Sequence, residues 1–549
     1  MAVSLHRLRW KIAAAALLSR TARRAGHFPP TAWAIRKVAH RLQPRRQDAT
    51  GSYRGIAADL LKRSLPADET GAEVLYDPIA GLIPGTPEVP RTPAQWAAQA
   101  ERSPTAANHL AAASAFRKPY VSQLRTAMTH YEQAFSANPK DLRAVEGALT
   151  LGARTHYDWP RIWAVVQVLI PRRGPLRAGT GFWRDMEGLF VRTPDQQSVA
   201  RAMARLDESS EDLPGLHQLL LEGIAARLQF LGEFVAGFRV REATAQNRVE
   251  ELAGIPLESG IWLKHLLGAY AYREDRQKLL DTADKPPIDR SDPLMRVQAQ
   301  KLRADAALTA GDIAPLRAHV RMRRSAFPLP GEEKMGQLVN DRRVAVVGPA
   351  GSDGLGELID SYDLVIRTRH HPAGSAESAG QRTDIAYYAG RDLLRDFAGV
   401  SRAAESGAFQ LAVTRPFFTE APGLQQWPQW LRTARCEHGL YFRGAPMGLQ
   451  RIIYDLLQFQ PAEIAVFNAD FYAGMSLAAK GYRASYSAFG PDNQTNDVVA
   501  MHDLAYEFRW TQQLSRSGLI TPHGITAEVL ALSEADYLRR VEAGPLGGV

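Results

Sequence analysis

The sequence predicts an all-α part followed by an α/β part built on a mostly parallel sheet. Three observations carry that prediction. From about residue 94 to 325 the apolar positions recur at helical spacing, with few strand-like alternations. After residue 335 short apolar runs alternate with helix-length segments, the grammar of β-α-β units. The first of those runs, "RVAVVG", opens into a loop with glycines at 348, 351, 354 and 356.

Taken in chain order, residues 1–50 are basic. In "HRLRWKIAAAALLSRTARRAGHF", Arg7, Arg9 and Lys11 precede an apolar run from Ile12 to Leu18. The run is short for a signal peptide, and Arg20, Arg23 and Arg24 stand where a cleavage region is small and neutral. Two readings remain: a basic amphipathic helix lying on a membrane or a partner, or an ordinary basic tail. No stretch approaches the ~20 apolar residues of a spanning helix. Residues 51–93 form a linker, ending in the Pro/Gly-rich "DPIAGLIPGTPEVPRTP".

Residues 94–330 form the helical part. In "AMTHYEQAFSANPKDLRAVEGALTLGAR", Tyr131, Ala134 and Pro139 fall where the second helix of a tetratricopeptide repeat ends. "RADAALTAGDIAPLRAHV" has a similar small-residue, Gly-Asp turn. These two fragments resemble a tetratricopeptide-like solenoid, and an unrelated helical bundle is the other reading. "SAFPLPGEEKMGQLVND" breaks the pattern, and the α/β part occupies 335–549. Its expected strands are 343–348, 363–368, 384–388, 409–414, 440–442 and 464–468.

Composition narrows the function classes. Cys436 is the single cysteine, so no internal disulfide forms and the fold suits a reducing compartment. A formal net charge of +9 favours anionic partners. The basic residues are dispersed, without the aromatic interleaving of a nucleic-acid platform. The Gly-rich loop fits neither G-x-G-x-x-G nor the phosphate loop ending in Gly-Lys-Ser/Thr. No zinc-ligand spacing, no G-x-S-x-G elbow and no Asp-x-Asp near the sheet is present. The second apolar run ends in Arg367, Arg369, His370 and His371, which suit an anion at the sheet's carboxyl edge. A solvated basic turn is the alternative.

The string "VAVVGPAGS…GLGELIDSYDLVIRTR…GQRTD" resembles the large sialyl motif of eukaryotic-type sialyltransferases and their bacterial relatives. "GAPMGLQRIIYDLLQFQPAEIAVFNADFY" is similar to the small sialyl motif, and "HDLAYEF" to the very short His-x-x-x-x-Glu motif. The resemblance spans about the C-terminal 40% of the chain. It implies a nucleotide-sugar transferase domain that takes a CMP-activated acidic sugar, needs no metal or other cofactor, and passes the sugar to a cell-surface glycan. On that resemblance Gly348, Ala350, Gly351 and Ser352 would lie against the CMP phosphate and ribose. Arg367 and Arg369 would join the donor site, and Met447 and Gly448 would offer backbone N–H groups at a helix start. His502 would deprotonate the acceptor hydroxyl, poised by a carboxylate such as Glu507.

The sequence departs from the family pattern at Pro349 and Arg369, where asparagines usually stand, and at Met447, where a hydroxyl residue does. Only "YRASYSAF" and "DNQTND" occupy the place of the motif before His502. The acidic donor is therefore open between sialic acid-like and Kdo-like sugars. Asp503 and Glu507 lie four residues apart on one helix face and also suit plain solvated charges. Asp360 and Asp363 flank a turn between helix and strand, and capping suits Asp360. The leading expectation is a cytoplasmic glycosyltransferase, peripheral at the inner membrane face, whose helical part docks a protein partner or the acceptor. The alternatives are a non-catalytic tetratricopeptide scaffold with a degenerate transferase domain and a nucleotide-sensing regulator.

Overall fold

The computed structural model describes residues 92–117, 123–155, 158–170, 179–252, 260–284, 293–326, 331–351, 354–371, 374–389, 392–393, 396–414, 428–434, 437–476, 498–499 and 501–547. The basic N-terminal segment, the linker up to residue 91, Ser352, Cys436 and the stretch holding "YRASYSAF" and "DNQTND" lie outside them. Among the described residues no helix is long and apolar enough to cross a membrane.

Among the described residues the first seven helices are α1 (Pro93–Arg102), α2 (Ala106–Arg117), α3 (Leu124–Ala137), α4 (Leu142–Thr155), α5 (Trp159–Val166), α6 (Gly179–Leu189) and α7 (Gln196–Glu208). Seven more follow: α8 (Gln218–Phe230), α9 (Phe234–Leu252), α10 (Gly260–Tyr272), α11 (Arg276–Ala283), α12 (Pro293–Thr309), α13 (Ala314–Ala326) and α14 (Glu332–Val339). Both fragments singled out for their turns fold as helix–turn–helix pairs. Pro139 lies in the turn between α3 and α4, where it cannot continue a helix. A Cβ on Gly147 would fall inside the Tyr131 ring, so this pair approaches as closely as glycine allows. Between α12 and α13, Gly311 takes φ +96° and the Asp312 carboxylate accepts the Ala314 N–H at 2.9 Å.

The sheet part runs β1 (Arg343–Val347), α15 (Gly356–Asp360), β2 (Leu364–Thr368), α16 (Ala376–Ala379), β3 (Ile385–Tyr387), α17 (Phe397–Glu405), β4 (Leu411–Thr414) and β5 (Leu431–Thr433). After these come α18 (Gly448–Leu457), β6 (Glu463–Phe467), α19 (Leu504–Arg516), β7 (Thr521–Pro522), α20 (Ile525–Leu530) and α21 (Glu534–Glu542). The seven strands form one sheet in the order β5-β4-β3-β2-β1-β6-β7, and every pairing is parallel. The central strands are apolar on both faces, as a sheet covered by helices on each side requires.

Five expected strands form within two residues of their expected ends. The sixth does not: 440–442 is irregular chain rather than a strand. Its apolar residues serve the seam between the two parts instead. Leu440 is fully buried, the Phe442 ring tilts against Tyr272 of α10, and the Tyr441 hydroxyl bonds to Glu507 of α19. The sheet positions beyond β4 and β6 go to β5 and β7, each too short to show a period of two. One contiguous apolar core runs from Leu110 through the helical part and the sheet to Leu546.

Candidate functional site

The strand order reverses once. From β1 the chain steps outward to β5 on one side, then returns to place β6 on the other side of β1. The carboxyl ends of β1 and β6 thus form a topological switch point, where open parallel sheets bind their ligands. In register, Val347 of β1 faces Phe467 of β6 and Arg367 of β2. Gly348 follows directly. Its N–H donates to the Phe467 carbonyl at 2.8 Å, and that of Ala350 to the Asn468 carbonyl at 2.9 Å. A Cβ on Gly348 would come within 2.3 Å of that Asn468 oxygen, so only glycine lets the two loops meet. Gly351 is exposed and a Cβ there would meet nothing within 4 Å.

The loop after β6 is the feature that sequence reasoning passed over. Asn468, Phe471 and Tyr472 take φ values of +52°, +50° and +65°, a region that asparagine tolerates but bulky residues such as Phe and Tyr enter rarely. Surrounding bonds hold the loop there. Ala469 N–H donates to Thr526 at 2.9 Å, Tyr472 N–H to Asp470 at 3.0 Å, and the Tyr537 hydroxyl to the Phe471 carbonyl at 2.9 Å. Strain of this kind collects at functional sites when the surroundings over-determine it. "NADFY" reads as a strand end with one acid, and nothing in its spacing announces left-handed aromatic residues.

On the β2 side the basic residues divide. Arg367 is 3% exposed and its guanidinium donates to the carbonyls of Arg382, at 2.9 Å, and Ala379. Burial pulls its pKa down to about 10, which still leaves it charged at neutral pH. It is a tie for the 379–382 turn. Arg369, at φ +74°, is half-buried and pairs with Asp392 at 2.6 Å. His370 bonds through Nδ1 to the Tyr388 hydroxyl, and its ring lies 3.7 Å from that of His371. Burial first, and then His371, lower the His370 pKa, which disfavours its charged form.

The start of α18 overhangs the same edge. A Cβ on Gly448 would touch the Thr368 methyl at 3.2 Å, which puts this helix end above the carboxyl end of β2. Buried Asp455 anchors the other end of α18, accepting from Tyr387 of β3 at 2.6 Å and from Arg432 of β5 at 2.8 Å. Met447 is the N-cap, and no side chain of its own caps the helix. The Met447 amide, expected to face the phosphate or the carboxylate of the donor, donates to Glu507 Oε1 at 2.8 Å, while Glu507 Oε2 accepts the Tyr441 hydroxyl at 2.8 Å. Glu507 is fully buried. Burial pushes its pKa up to about 8, against the pull of Tyr441, Met447 and Arg451.

His502 comes to this helix end from the chain just before α19. The residues before α18 run beside those before α19: the Ala445 N–H donates to the Met501 carbonyl at 3.0 Å, and His502 Nδ1 meets the Ala445 carbonyl at 2.7 Å. A carbonyl only accepts, so Nδ1 carries a proton, and in the neutral ring the lone pair is then on Nε2. Gly444 permits the approach with φ +73°, since a Cβ there would come within 2.6 Å of the Met501 oxygen.

Gly348, Ala350, Arg369 and Gly448 thus gather at the carboxyl edge of β2, β1 and β6, with His502 joined to the chain three residues before Gly448. Arg367 and Glu507 face inward and hold the frame. Ser352 lies outside the described residues. Among the described residues no group of three His, Cys, Asp or Glu side chains is arranged to hold a metal ion. Comparisons with family models, with curated proteins and with solved structures return no match for this chain.

Proposed function

We propose that the protein is a glycosyltransferase that moves an acidic 2-keto sugar, sialic acid-like or Kdo-like, from a CMP-sugar to a cell-surface glycan. His502 is the general base. The observation that carries the reading is the His502–Ala445 hydrogen bond, because it fixes the tautomer a base needs at Nε2. The switch point beside Gly348 supports a nucleotide there, and the resemblance to the sialyl motifs supplies its identity as CMP.

In the step itself the acceptor hydroxyl gives its proton to His502 Nε2 as its oxygen attacks the anomeric carbon of the donor. The bond from that carbon to the phosphate oxygen breaks, and CMP leaves with the electron pair. Attack opposite the leaving group inverts the anomeric centre. Arg369 and the partial positive charge at the start of α18 would offset the charge gathering on the phosphate. The helical part would dock the acceptor or a protein partner, and the basic N-terminus would hold the enzyme at the inner face of the membrane.

A second reading, a scaffold with a degenerate transferase fold, is favoured by one observation. Two groups expected to hold the donor, the Met447 amide and the Arg367 guanidinium, are bonded within the protein. Calorimetric titration with CMP and a panel of CMP-sugars, on the wild type and on His502→Ala, separates the two. The transferase reading expects CMP to bind both proteins and transfer to fall roughly 10²- to 10⁴-fold in the variant. No CMP binding at millimolar concentration would put the scaffold reading in its place.

A further inference from the structure

We propose that Glu222 and Arg241, both in the helical part, are positioning residues for His502: they bridge the two chain segments whose hydrogen bond orients its ring. The inference rests on the reading of His502 as the base, and it changes what the helical part is for.

The two segments are 443–445 and 501–503. Arg443 stands two residues before Ala445, the acceptor of the His502 Nδ1–H. Its Nε forms an ion pair with the Glu222 carboxylate of α8. Asp503 follows His502 directly and is fully buried. One of its oxygens caps α19 by accepting the Tyr506 N–H at 3.0 Å, and the other lies 3.5 Å from Nη1 of Arg241 on α9. Arg241 is itself fully buried, and its Nε stands 3.6 Å from the Glu222 carboxylate. The four charges form an unbroken alternating chain, Arg443–Glu222–Arg241–Asp503. Its two ends belong to the segments joined by the His502–Ala445 bond, and its middle belongs wholly to the helical part.

Glu222 is the pivot, because it pairs with both guanidinium groups. Arg443 is partly buried, and Arg241 already acts on it as a repelling neighbour. Replacing the carboxylate with a neutral amide leaves those cations facing one another at low dielectric, where repulsion between them is weakly screened. Either the Arg443 segment or the Asp503 segment must then give way. A shift of about an ångström in a catalytic group costs on the order of 10²-fold in rate.

The test is Glu222→Gln in the full chain, read in two ways. The ring nitrogens of His502 are followed by NMR on histidine-labelled protein, with its resonances assigned by their loss in His502→Gln. The turnover number and the donor dissociation constant are measured on the same samples. The expected result is a move of the His502 ring shifts away from the pure Nδ1–H pattern, with a roughly 10- to 100-fold lower kcat and unchanged CMP affinity. Unchanged ring shifts and an unchanged kcat overturn the proposal, even if the melting temperature drops. Altered ring shifts in a protein whose wild type transfers no sugar keep the positional link and sink the transferase reading. Should Glu222→Gln fail to fold, Arg443→Lys carries the same test, since it keeps the charge and removes the planar fork that meets Glu222.

Discussion

Asp305 of α12 accepts the Tyr454 hydroxyl of α18 at 2.7 Å, a bond between residues 149 apart that crosses the seam of the two parts. The same carboxylate accepts the Gly439 N–H at 2.8 Å and the Lys301 ammonium, and His438 Nδ1 lies 3.8 Å away. Removing one partner from such a buried group leaves the others uncompensated, at about 3–5 kcal/mol. Asp305→Ala is expected to lose that much in urea unfolding, and Tyr454→Phe about 1 kcal/mol. Burial alone would raise the Asp305 pKa, but Lys301 and His438 hold it below the ordinary carboxylate range. A depressed pKa stabilises the fold above the unfolded value and loses that effect in acid. The gap in melting temperature between wild type and Asp305→Asn should therefore be full at pH 7 and shrink below about pH 4.

Two glycines of one loop should behave oppositely. Gly348→Ala forces a methyl against the Asn468 carbonyl and should cost about 1–3 kcal/mol by opening the ends of β1 and β6. Gly351→Ala has open space around its new Cβ and should leave the melting temperature within a degree or two. A loss of CMP affinity in Gly351→Ala at full stability would place the nucleotide against that residue. Equal destabilisation of both variants would contradict the switch-point geometry.

Glu507 should make the fold sensitive to alkali. Its pKa rises to about 8 in the folded protein, from an ordinary value of 4.5. Between those values the folded state holds a proton that the unfolded chain has released, so stability falls as pH rises, by up to about 1.4 kcal/mol per unit. Below pH 4.5 the contribution is fully present, and above pH 8 it has gone. Melting temperatures from pH 5 to 9 should decline in the wild type and decline less in Glu507→Gln. Parallel curves would show that Glu507 is ionised throughout.

Much of the frame is legible in the sequence because it is local. Val344–Val347, Leu364–Ile366 and Ile464–Phe467 are apolar runs bounded by turn residues, and each becomes a strand near its expected ends. Leu440–Phe442 carries the same local signal yet becomes seam, because Tyr272 and Glu507 reach it from distant parts of the chain. At the site, residue types are legible and their partners are not. Arg367 looks like an anion ligand until its neighbours prove to be carbonyl oxygens. Glu222 and Arg241 carry no motif at all, since their meaning comes from Arg443 and Asp503, more than 200 residues further on.

The reversal in strand order also has a consequence on the ribosome. β2 is made soon after β1 and can pair with it at once, but β6 arrives only after β3, β4, β5 and α18 have been synthesised. Throughout that interval one edge of β1, with Val344 to Val347 destined for the interior, has no strand beside it. An unpaired apolar edge is a template for the wrong strand. Chains that stall or are truncated before residue 463 should therefore collect in aggregates, and ribosome pausing there would put the nascent protein most at risk.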